Sequence, residues 1–393
     1  MTHQRTRFAE QILAKSLTYS PCVGLIGMRQ VGKSTLLKSF AKSYHTFDDD
    51  AFLRQFENEK STILENGMGP IALDEIQKHP PAFDALKLSI DRKKRMGRFL
   101  ISGSVRFSAR KQIRESLTGR IVTLEIFPLG LAECHERTLN PLLKEIHSVN
   151  LPHLFELLKK RKLVTTSERI RYLETGGLPG ICFRRDSQVR SELFEQHLDT
   201  LLRRDIHLVK QTRLSFEQLR AILTVVAGRQ GLAINMSDMA RLTGCSMPTI
   251  KTALETMSGL FLVRPYGKSW FIEDAGLARH LARSPTNTPR LDMLHAAYYE
   301  LRLQHALYLR HQAIMKPYLT RGGIDVPFFF EFKDGLRVAI LLDAGENPSE
   351  KSLKSVTWMK KRFSHLKALI LTENGPARIL DENIAMLPLN AIF

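Results

Sequence analysis

An apolar, strand-like run, Cys22-Val23-Gly24-Leu25-Ile26, breaks into Gly27-Met28-Arg29-Gln30-Val31-Gly32-Lys33-Ser34-Thr35 and continues as an amphipathic pattern from Leu36 to about Tyr44. No other stretch narrows the fold so far. A G-x-x-x-x-G-K-S segment set between a strand and a helix reads as a loop that wraps phosphate. Glycines at 27 and 32 let the backbone turn tightly and aim its N–H groups at phosphate oxygens. The helix N-terminus that follows adds partial positive charge at the same point. Lys33 is then expected to reach the β- and γ-phosphates, and the Ser34 hydroxyl to bind Mg²⁺. Gly267-Lys268-Ser269 serves as a control. It lacks the upstream glycine and the following helix, and reads as a hairpin turn.

A second landmark lies about forty residues on, in Pro70-Ile71-Ala72-Leu73-Asp74-Glu75. A short apolar strand delivers two carboxylates at its C-terminal end, where open α/β sheets place their ligands. Asp74 is expected to hold Mg²⁺ together with Ser34, leaving Glu75 to orient and polarise the attacking water. Phosphoryl transfer asks mainly for positioning and charge neutralisation, which this pair supplies. Asp48-Asp49-Asp50 between the landmarks reads more economically as a capped turn before a helix than as a metal site. A third strand, Arg98 to Ser104, ends in polar residues. Ser102 and Ser104 are both candidates for contact with the γ-phosphate or the water, against the plainer reading of a helix-capping serine. Arg120, after Glu115-Ser116-Leu117-Thr118-Gly119, is placed to act as an arginine finger, in cis or towards a neighbouring subunit. Arg106 is its rival, and an exposed structural arginine is the bland alternative.

Length allows two or three domains. No apolar run approaches the ~20 residues of a membrane span. The N-terminus lacks the apolar core of a signal peptide, so a cytoplasmic protein without membrane contact is expected. Cys22, Cys134, Cys182 and Cys245 are scattered, without metal-ligand spacing, as free thiols in a reducing compartment would be. The unusual bulk property is a net charge of +18. It favours a polyanionic partner, nucleic acid first, with double-stranded DNA a candidate, and an anionic membrane surface a distant second.

Residues 131–214 carry helical periodicity with breaks and read as a lid over the nucleotide. From about 215 to 283 the pattern is a winged helix-turn-helix. Its two helices are Met236–Leu242 and Ser246–Ser258, packed through Met239, Ala240, Leu242, Ile250, Leu254 and Leu260. Thr249, Lys251, Thr252 and Lys268 are its candidates for nucleic acid, better suited to phosphate than to base readout. Ser284 to Pro289 is a linker. Residues 290–393 outline a small α/β domain.

In one order, the phosphate loop, the Asp-Glu strand, Ser102-Gly103-Ser104, Leu117–Arg120, Gly176-Gly177-Leu178-Pro179, the winged helix and Asp274-Ala275-Gly276-Leu277-Ala278 resemble bacterial and archaeal ATPases of the AAA superfamily that end in a domain of unknown function. The resemblance implies an α/β P-loop NTPase sheet at 1–130. It implies binding of ATP and Mg²⁺ by Lys33, Ser34 and Asp74, hydrolysis assisted by Glu75, and sensor and finger roles for Ser104 and Arg120. It also implies a C-terminal restriction-endonuclease-type fold, with an Asp and then Glu-x-Lys. Asp325 keeps the first acid, but Val338-Ala339-Ile340-Leu341-Leu342-Asp343-Ala344 holds no acid followed two residues later by lysine. That domain is therefore expected to be catalytically inactive. The function expected is an ATP-hydrolysing switch acting on nucleic acid or a protein partner. The alternatives are an ATP-gated DNA nuclease and a DNA-binding regulator that binds ATP with little turnover.

Overall fold

A computed structural model of the chain describes residues 5–65, 69–106, 119–140, 142–282 and 288–393. The expected segment Glu115–Thr118 and most of the 284–289 linker lie outside these residues. Contacts in space divide the chain into two compact units: 1–129 with 178–222 and 236–264, and 130–177 with 223–235 and 265–393. The stretch 131–214 is thus shared between them.

The first unit is built on a parallel sheet of β1 (Cys22–Ile26), β2 (Ser43–Thr46), β3 (Ile71–Asp74), β4 (Phe99–Gly103) and β5 (Ile121–Glu125). Their order is β2-β3-β4-β1-β5. β1, β3 and β4 are buried along nearly their whole length, which is why they read as unbroken apolar runs. Phe52, Phe56, Phe83, Leu86 and Ile90, from the helices Asp50–Glu65 and Pro81–Arg92, pack against Leu73, Phe99 and Ile101. The order has one consequence for chemistry. β4 lies between the strand that ends in the glycine-rich loop and the strand that ends in Asp74, so its serines reach the acids.

Helices Met236–Thr243 and Met247–Gly259 follow, joined at Gly244, whose φ of +66° lies in the left-handed region that favours glycine. Ser246 caps the second helix by accepting from Thr249 N–H. Met239, Ile250, Leu254 and Leu260 are buried as expected. Leu242 is not: it stands 57% exposed, on the outer face of its helix. A two-stranded ribbon, β6 (Val263–Tyr266) and β7 (Ser269–Ile272), turns at Gly267. The control sequence is indeed a hairpin turn.

The second unit carries a six-stranded sheet of β8 (Ala313–Leu319), β9 (Asp325–Phe332), β10 (Arg337–Asp343), β11 (Leu366–Thr372), β12 (Arg378–Asp381) and β13 (Ile384–Pro388). The order is β12-β13-β11-β10-β9-β8, with β10, β11 and β13 parallel. β9 buries both its faces. Phe328 and Phe330 join a core shared with helices of residues 131–175 and Pro289–Gln304, while Val326 and Phe329 face Val356 and Met359 of the helix Glu350–Arg362. Two motifs quoted from the sequence meet here. Asp274 accepts from Gly177 N–H at 2.7 Å and Leu277 N–H at 2.8 Å. A Cβ on Gly176 would stand 2.2 Å from its carboxylate, so only glycine fits.

Candidate phosphate-binding site

The loop that ends β1 is fixed by steric need as much as by propensity. A Cβ on Gly27 would lie 2.2 Å from the Ile126 carbonyl oxygen, and Gly32 has φ +96° where it caps the helix Lys33–Phe40. Gln30 holds a left-handed φ of +66° without being glycine, a strain that needs outside support. Arg7 supplies some of it. Its buried guanidinium donates to the Val31 and Phe127 carbonyls, each at 2.7 Å, tying the loop to the chain beyond β5.

Lys33 is buried, and its amine donates to the Gly27 and Met28 carbonyls at 3.0 Å. Burial pulls its pKa down, and the charges of Glu75 and Asp74 oppose that pull. The amine thus lies within electrostatic reach of the acids that end β3.

Asp74 is gripped at both oxygens. The Tyr44 hydroxyl donates to Oδ2 at 2.6 Å; the Ser102 hydroxyl and Glu75 N–H donate to Oδ1. Tyr44 also hydrogen-bonds Ser34; burial first, and then Asp74, push its phenol up. Tyr44 links Asp74 to Ser34, and the two offer hard oxygen donors of the kind Mg²⁺ prefers. The residues present fit that ion.

Glu75 occupies a left-handed turn, φ +52°, after the end of β3. One carboxylate oxygen accepts from Ser104 at 3.1 Å and from Gln77 Nε2 at 2.5 Å, and Gln77 Nε2 also reaches Ser104 at 3.1 Å. Ser104 thus holds Glu75, while Ser102, fully buried, anchors Asp74 and the Glu75 N–H. Arg120 is engaged elsewhere. Nε and Nη2 meet both oxygens of Asp91 at 2.7 and 3.0 Å, and this pairing holds Asp91 below the usual carboxylate range. Arg106 is built into the packing: it lies over the Phe261 ring, donates to Ser258 O and pairs with Glu125. Asp49 caps the next helix through Ala51 N–H and Asp48 pairs with Lys78.

A cavity of about 440 Å³ opens beside the loop. Gly32, Thr35, Leu36, Ser39, Arg5 and Pro179 are among the residues that line it. Its volume falls in the range of small-ligand pockets, roughly 300–1,000 Å³. Met28 and Val31 are buried, and Thr35 lines the cavity. Sequence reasoning missed Arg7, Tyr44 and Gln77. Their contacts with the loop and the acids are tertiary, and nothing local in the sequence signals them.

In the second unit, the acid expected of a nuclease stands apart. Asp325 pairs with Arg290 at 3.4 Å, Leu341 and Leu342 are buried, and Asp343 accepts from Ser349 N–H at 3.0 Å. Among the described residues, no cluster of three or more His, Cys, Asp or Glu side chains is placed to hold a metal ion, and no helix is long and apolar enough to cross a membrane.

A family match covers the sheet and its loop. Residues 19–135 match the family described as an AAA domain, and residues 166–287 match a domain of unknown function. Together with the five-stranded parallel sheet, the first match assigns this part of the chain the fold of a P-loop ATPase domain. Uncharacterized proteins of Mycobacterium tuberculosis and Mycobacterium bovis are each 26% identical over 282 residues, 71% of this chain and 56% of theirs. An uncharacterized protein of Methanocaldococcus jannaschii is 23% identical over 61% of this chain and 55% of its own. The chain spans about half the length of these curated relatives. Among solved structures, a Walker-type ATPase of Pyrococcus abyssi covers 69% of this chain and 94% of its own at 17% identity and a TM-score of 0.40. A signal-transduction ATPase with a tetratricopeptide repeat sensor from Pyrococcus horikoshii covers 77% and 46% at 15% identity and a TM-score of 0.27.

Proposed function

We propose that this chain binds ATP with Mg²⁺ and hydrolyses it, using the cycle as a switch on a polyanionic or protein partner. The reading is carried by one convergence: the Lys33 amine, the gripped Asp74 carboxylate and the Glu75 carboxylate share one end of the parallel sheet. Loop N–H groups and Lys33 hold the β- and γ-phosphates, and the 440 Å³ cavity takes the nucleoside. Ser34 and Asp74 hold Mg²⁺, which would neutralise charge on the phosphate oxygens. Glu75 polarises the attacking water once its hold on Ser104 and Gln77 loosens, so those two side chains set when it is free. Arg120 becomes available to a phosphate only by leaving Asp91.

For the partner, the net charge of +18 favours double-stranded DNA. Reading 215–283 as a winged helix, Lys251 offers phosphate contact, whereas the Thr249 hydroxyl is hydrogen-bonded at 2.7 Å to Ser246, the residue that caps its helix. The C-terminal α/β domain serves this scheme as an inactive binding or packing module. Phosphate release from ATP, measured with and without double-stranded DNA across a salt series, tests the whole reading. Stimulation at low salt that disappears at high salt is expected. Failure to hydrolyse any nucleoside triphosphate overturns it, and hydrolysis indifferent to DNA at every salt makes the partner a protein.

A further inference from the structure

The helices that follow Gly177 meet the phosphate loop at two consecutive residues. Arg29 Nη1 donates to Asp205 Oδ2 at 3.3 Å, and Gln30 Oε1 lies 3.1 Å from His197 Nδ1. Both partners are interior groups, Asp205 at 1% exposure and His197 at 2%. Asp205 closes a stretch of π-helix, Thr200–Asp205, a wide turn that is rare and often re-aims a side chain at a functional site. Its second oxygen accepts from Arg204 Nε at 2.9 Å. A carboxylate this deep is costly unless paired, so Asp205 keeps Arg29 for as long as no better anion reaches that guanidinium. His197 adds no charge of its own. Burial, with Arg29 and Lys33 nearby, pushes its pKa down to about 4.

Phosphate in the loop changes that balance. Arg29 belongs to the loop itself, is a quarter exposed, and carries the planar fork that phosphate oxygens accept bidentately. A triphosphate is also like-charged with Asp205, and like charges brought together in a poorly solvated site repel. We infer that Asp205 is a place-holding anion. It occupies Arg29 while the loop lacks phosphate and yields it when a nucleotide arrives, so that occupancy of the loop loosens the packing of residues 197–209. The inference rests on the nucleotide reading of the loop and supplies its regulation.

Asp205→Asn keeps shape and hydrogen-bonding capacity while removing the charge. Affinity for a non-hydrolysable Mg-ATP analogue should rise about tenfold, the scale of one partly screened charge–charge interaction. Asp205→Glu, which keeps the charge, should stay within roughly threefold of the natural protein. Hydrogen exchange supplies a readout that a merely structural aspartate would not move. In the natural protein, amides of residues 200–209 should exchange faster once the analogue binds; in Asp205→Asn they should be fast already and respond little. The response of the natural protein needs no variant, and its absence overturns the inference even if Asp205→Asn fails to fold. Unchanged affinity in a folded Asp205→Asn overturns it too. A natural protein that binds the analogue yet shows either failure leaves the phosphate-loop reading standing, whereas one that binds no nucleotide removes both.

Discussion

Asp74 and Asp325 are both acids at the end of a strand, in sheets with buried central strands, yet their surroundings differ in kind. Around Asp74 two hydroxyls, a backbone N–H, a second carboxylate and a buried lysine converge within one strand end and the loop beside it. Around Asp325 there is a partly exposed arginine, and the neighbouring strand ends in Asp343 but carries no lysine two residues beyond that acid. A site is made by what other strands deliver to the same end. The intervening strand β4, with Ser102 and Ser104, does this for Asp74; β10 ends in Asp343, which accepts from Ser349 N–H, and brings no lysine to Asp325.

The comparison breaks most easily at Lys33. Lys33→Ala should weaken nucleotide binding by ~10² or more, because a charge-assisted contact to phosphate is lost in a buried site; a titration showing unchanged affinity would move phosphate binding elsewhere. Glu75→Gln should leave affinity intact and cut turnover by ~10²-fold, as loss of a water-orienting base does. Normal steady-state rates in that variant would shift the role to another residue.

The two units should also answer pH in opposite senses. Glu300, in the core of the second, has its pKa raised to about 7 by burial. The folded chain keeps it protonated while the unfolded chain ionises it. Stability is therefore full below the ordinary glutamate value and falls as pH climbs towards 7, by about 3 kcal/mol. His197, in the first unit, is held neutral with a pKa near 4. Its unfolded form protonates first, so stability is full above the ordinary histidine value and falls by about 3 kcal/mol as pH drops to 4. Hydrogen exchange, corrected for intrinsic pH dependence, should show helix Pro289–Gln304 loosening at pH 8 and helix Ser187–Asp199 loosening at pH 4. Parallel behaviour of the two would contradict the assignment. The smallest effect concerns Asp325. With Mg²⁺ or Mn²⁺ the protein should leave plasmid and linear DNA uncut, and Asp325→Ala should change stability by less than about 0.5 kcal/mol, as exposed substitutions usually do. A metal-dependent nick lost in that variant would make the two strand ends alike after all.

What could be read beforehand was whatever is local. The loop from Gly27 to Thr35, the Asp74-Glu75 strand and the serine strand are contiguous, and their chemistry is set by spacing along one segment. Tyr44, Gln77, Arg7, His197 and Asp205 escaped because each contributes through a fold-made meeting, up to 176 residues apart for Arg29 and Asp205. The strands β8 and β12 escaped for a different reason. β8 and β12 are sheet edges with exposed residues and, in β8, Pro317, so neither shows a buried apolar run. The helices flanking Gly244 were placed correctly, but periodicity could not tell that Leu242 lies on the outer face.

The fit of Asp274 against Gly176 constrains how such a chain can drift over generations. Any side chain at 176 collides with the carboxylate, and shortening or removing that carboxylate strands the amides of Gly177 and Leu277. Neither position has a tolerable single step away from its present state. The pair can change only jointly, and lineages carrying this joint should keep both residues long after the loops around them have diverged.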